Sequence, residues 1–87
     1  MNREEITRRL KQRLELLQAD IGKLEVQLRH ASDDARTQVE FQLQKAREAM
    51  EDVRVAITDV QTAAEGRLQE IREQADKAWE TVKGNID

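Results

Sequence analysis

Apolar side chains recur along almost the whole chain in steps of three or four and in no other step. The line runs Ile6, Leu10, Leu14, Leu17, Ile21, Leu24, Leu28, Ala31, Ala35, Val39, Leu43, Ala46, Met50, Val53, Ile57, Val60, Ala64, Leu68, Ile71, Ala75, Ala78, Val82, Ile86. Its 22 steps span 80 residues, a mean of about 3.64. That lies beside the 3.6 residues per turn of a straight α-helix and above the 3.5 of a strict left-handed coiled coil. One apolar line of this period marks long amphipathic helices, and 87 residues leave room for little else. The expected fold is all-α: an antiparallel helical hairpin or coiled coil, or else a near-continuous helix in an oligomer.

Composition agrees. There is no proline, only three glycines, and 38% of residues are charged while 2% are aromatic, the profile of long helices. A mean hydropathy of -0.84 taken alone also fits a disordered chain, but a disordered chain has no reason to keep helical period over 80 residues. Cysteine and tyrosine are absent and His30 is the single histidine, so disulfides, thiolate zinc sites and Cys or Tyr nucleophiles are excluded. Met1 to Lys11 is polar, without the apolar run of a signal peptide or membrane span, and this leads us to expect a bacterial-type cytoplasmic protein.

Between Leu14 and Val82 the alternation of three and four slips twice, once through Ala35, Val39 and Leu43 and once between Ala64 and Leu68, around Gly66. Slips mark either stutters in one helix or places where the chain turns. Start signals are Asn2 with Glu5, the run Ser32, Asp33, Asp34, and a capping box of Thr37 with Glu40. Lys83, Gly84 and Asn85 read as a stop. The expected organisation is one coiled-coil domain, 1–87, with a helix over about 3–31, a turn or stutter in 32–37, and a helix over about 38–83 with a bend at Gly66.

Charge is divided along the chain: residues 1–31 carry a net +2 and residues 32–87 a net -5. Opposite charge favours antiparallel pairing of the two arms, within one chain or between two. The seam expected to hold copies or a partner helix together is Leu10, Leu14, Leu17, Ile21, Leu24, Leu28, Leu43, Met50, Val53, Ile57, Val60, Leu68 and Ile71. Leu16, Val26, Phe41 and Val55 lie off it and would widen the buried face, so more than two helices are expected to pack together, as a folded-back third segment or in an oligomer.

No chemistry-bearing constellation stands out. His30, Ser32 and Asp33 or Asp34 have the letters of a hydrolase triad, but neighbours in one turn bring neither a pocket nor oxyanion donors. One imidazole and one carboxylate, His30 and Asp34, fall short of a metal site. No catalytic residue, cofactor, metal or small-molecule substrate is therefore expected. Arg8, Arg9, Lys11 and Arg13 flank the first apolar residues and form the candidate contact with an anionic membrane surface, an alternative that would place the protein peripherally at the membrane. Nucleic acid is disfavoured by the acidic chain and the lack of stacking aromatics. Trp79 is the candidate interface anchor.

Three segments together resemble a family of short bacterial coiled-coil stress-response proteins with apolipoprotein-like helices. They are Leu14 to Leu28 (LELLQADIGKLEVQL), Leu43 to Val53 (LQKAREAMEDV), and Asp76 to Ile86 (DKAWETVKGNI), which is similar to that family's Ala-Trp-Glu-x-Leu-Lys box with Val82 in place of leucine. The resemblance implies stress induction and a non-enzymatic role, and brings no catalytic residues. The functional expectation is a non-catalytic coiled-coil interaction protein, stress-associated, acting as a homo-oligomer or on a partner helix. Lipid-surface binding is the alternative.

Overall fold

The computed structural model describes residues 2–86, with side chains from Asn2 to Val82. It is all-α: α1 (Arg3–His30), α2 (Asp33–Thr62), a short 3-10 turn (Glu65–Arg67) and α3 (Leu68–Ile86). The molecule measures 50 × 18 × 17 Å. At 1.5 Å per residue helices of this length span about 45 Å, whereas a continuous rod would reach about 120 Å. The chain therefore folds back on itself twice.

Local chemistry explains the ends. Asn2 caps α1, its side-chain oxygen accepting from Glu5 N at 2.8 Å, with Glu4 and Glu5 in the first turn where the helix dipole favours acids. Ser32 caps α2 by accepting from Ala35 N at 3.4 Å, with Asp33 and Asp34 behind it. The first turn is thus only Ala31 and Ser32, narrower than the expected 32–37. Thr37 lies inside α2 and forms no box, and Glu40 instead accepts from Arg36 Nε at 3.1 Å. Ser32 and its two acids start the helix one turn earlier than Thr37 would.

The expected helix over 38–83 is two helices. Ala63 and Ala64 are both extended, with ψ of 151°, and the chain reverses there rather than bending at Gly66. At the far end α3 continues through Gly84 and Asn85 to Ile86, past the expected stop. Glycine's helix penalty of about 1 kcal/mol permits a stop without compelling one.

Long-range pairs fix the directions. Arg3 donates to the Val60 carbonyl, and Arg47 pairs with Glu25 at 3.6 Å, so α2 runs antiparallel to α1. Asp76 meets Arg13, which puts α3 alongside α1 in the same direction and antiparallel to α2. The core has two parts. Ile6, Leu10, Leu17, Ala49, Val53, Val60, Leu68 and Ile71 form the larger, where all three helices meet. Ile21, Leu24, Leu43 and Ala46 form the smaller, toward the α1–α2 turn, and Met50 touches both. Leu17 and Val60 are fully buried. Each such side chain contributes roughly 1.5–3 kcal/mol through removal from water.

Candidate functional site

The residues read as an association seam are used inside the chain. Leu10, Leu17, Ile21, Leu24, Leu43, Val53, Val60, Leu68 and Ile71 are buried, and Leu14, Leu28, Met50 and Ile57 are half-buried against them. Folding two arms and a third segment of one chain together consumes the line that would otherwise have joined copies. Ala64, Ala35 and Ala78, also on that line, are exposed.

A second apolar line was hidden in α2. Ala49 is buried and Ala56 and Ala63 are half-buried, one heptad apart, beside the Leu/Val line. The seven-residue spacing of these alanines is visible in the sequence, but Met50 and Ile57 next to them outweigh small residues in any hydrophobic pattern. Ala49 and Ala56 line the face of α2 that α3 covers. Trp79 and Val82 pack onto the same cluster, so Trp79 is anchored within the chain.

α3 does not fill the space it covers. A cleft of about 300 Å³ remains between α2 and α3, lined by Leu10, Arg13, Ala49, Asp52, Val53, Ala56, Ala75, Ala78, Trp79, Thr81 and Val82. Alanines on both walls leave the volume that larger side chains would take. Leu16, Val26, Phe41 and Val55, expected to widen the buried face, are 60%, 52%, 59% and 51% exposed, because three helices close over the Leu/Ile line without reaching them. Lys45 Nζ lies 5.4 Å from the Phe41 ring centroid.

The basic cluster is split. Arg8, Arg9 and Lys11 are exposed, but Arg13 is withdrawn from any outer surface. Its guanidinium donates to Asp76 Oδ1 at 2.6 Å and sits 5.4 Å from the Trp79 ring centroid, its side chain only 16% exposed. Asp76 also accepts from Arg72 at 3.4 Å, and Arg9 lines the crevice beside them. One carboxylate thus holds two guanidiniums at the α1–α3 contact.

His30 is exposed at the end of α1, and the Ser32 hydroxyl is occupied as a helix cap. Among the described residues no group of three or more His, Cys, Asp or Glu is placed to hold a metal, and no helix is long and apolar enough to cross a membrane. No family model matches the chain, and neither the curated proteins nor the solved structures give a match.

Proposed function

We propose that this protein is a non-catalytic helical interaction module that works by self-association, in the stress setting its tail pattern implies. The apolar cleft between α2 and α3 carries this reading. An under-filled contact on a small bundle leaves apolar area unburied, and helix association removes it from water at roughly 25 cal/mol per Å². The seam closes within the folded chain, so Leu24→Asp, at a position 7% exposed, should unfold the monomer rather than only separate copies. Sedimentation velocity of the full chain over a wide concentration range tests the reading. A mass that rises from monomer to dimer or larger is the expected result, and a monomer throughout overturns it.

Binding to an anionic lipid surface is the second reading, favoured by the exposed Arg8, Arg9 and Lys11 on α1. Co-sedimentation with anionic vesicles at low and high salt checks it. Binding that weakens with salt supports it, and no binding at either salt removes it.

A further inference from the structure

We infer that two copies of this chain exchange α3, each α3 docking on the other copy's α1–α2 hairpin while α2 and α3 straighten into one helix. The inference rests on the self-association reading and gives it a route to dimers that does not depend on filling the cleft.

Nothing local requires the reversal at 63–67. No described residue there has positive φ, and a Cβ on Gly66 would meet nothing within 4 Å. The 3-10 turn has no side-chain cap, and α2 has no basic residue in its last turn. Ala63 and Ala64 are strong helix formers held in an extended conformation. Val60, Ala64 and Leu68 follow in steps of four, so the apolar line stays in helical register straight through the break.

The reversal is instead held by tertiary contacts. In a continuous helix the Val60 carbonyl would accept from the N–H of Ala64, four residues on. The reversal orphans that carbonyl, and Arg3 reaches across from α1 to donate to it. Arg13 with Asp76, and Leu68 and Ile71 against the core, complete the docking. A second copy's α3 makes every one of these α3 contacts equally well, which is why exchange is a low-cost route to dimers. Two straightened helices would cross antiparallel at Ala63, Ala64 and Gly66, small enough for close approach.

Three variants test the exchange by sedimentation velocity, after refolding from urea at high protein concentration. Ala64 has φ of -65° and follows an extended residue, so Ala64→Pro fits the reversed chain and forbids the straight helix. It should fold as the wild type and dimerise at least about a hundredfold more weakly. Gly66→Ala, which favours each of the two straightened helices about fivefold, should strengthen dimerisation by about 25-fold. Asp76→Arg and Arg13→Glu each set like charges together in their own chain, yet mixed and refolded they place opposite charges at both exchanged contacts. Their mixture should give a one-to-one heterodimer that neither variant forms alone. A wild-type dimer that Ala64→Pro leaves intact, or a mixture that stays the sum of its parts, overturns exchange while leaving self-association standing. A wild type that is monomeric at every concentration overturns both.

Discussion

Arg13 and Asp76, 63 positions apart, are joined at 2.6 Å, and the same guanidinium lies over the Trp79 ring. The pair couples the basic first arm to the acidic remainder at one point on α3. It also converts a residue with the look of a surface cation into an internal tie.

Asp76→Asn should lower stability by about 1 kcal/mol, since the carboxylate is 39% exposed and solvent screens the pair. In a domain of this size that is a fall of roughly 4–8 °C in Tm. Thermal denaturation followed by circular dichroism measures it, and no change would show that the pair does not hold α3.

Leu17→Ala and its neighbour Leu16→Ala separate the buried line from the exposed one. Leu17 is 0% and Leu16 60% exposed. The first substitution should destabilise by about 2–5 kcal/mol and the second by less than about 0.5 kcal/mol in urea titration. Equal losses would mean that α1 is rotated from the arrangement described.

The first turn offers a similar pairing. Ser32→Ala removes the α2 cap and should cost about 0.5–1 kcal/mol, toward the lower end because the bond is long and exposed. Thr37→Ala, inside α2 and exposed, should be near neutral. The reverse ranking in urea melts would restore Thr37 as the start of the helix.

Ala49→Leu tests the hidden line. Ala49 is 5% exposed and lines the unfilled cleft, so a leucine there should enter that volume at a cost below about 1 kcal/mol, whereas a loss of about 1–3 kcal/mol would mark a closed contact. Ala78 is exposed at the rim of the cleft, and Ala78→Leu should be tolerated there. Urea denaturation of the two variants distinguishes a close α2–α3 contact from an open one.

From the residues alone it was legible that the chain is helical, that Leu10, Leu17, Leu24 and their partners turn inward, and that Asn2 starts a helix, while Ser32 and Thr37 both stood as starts for the second. Periodicity and capping act within a few residues and can be read from them. The reversal at Ala63 and Ala64, the closing of the seam within one chain and the pairing of Arg13 with Asp76 became visible in the folded molecule alone. A line of apolar side chains requires burial but does not say against what. Ala64 and Leu68 remain in helical register on either side of the reversal, so what selects the folded-back form is the docking of Leu68, Ile71 and Asp76 on α1, together with Arg3 on the carbonyl that the reversal exposes.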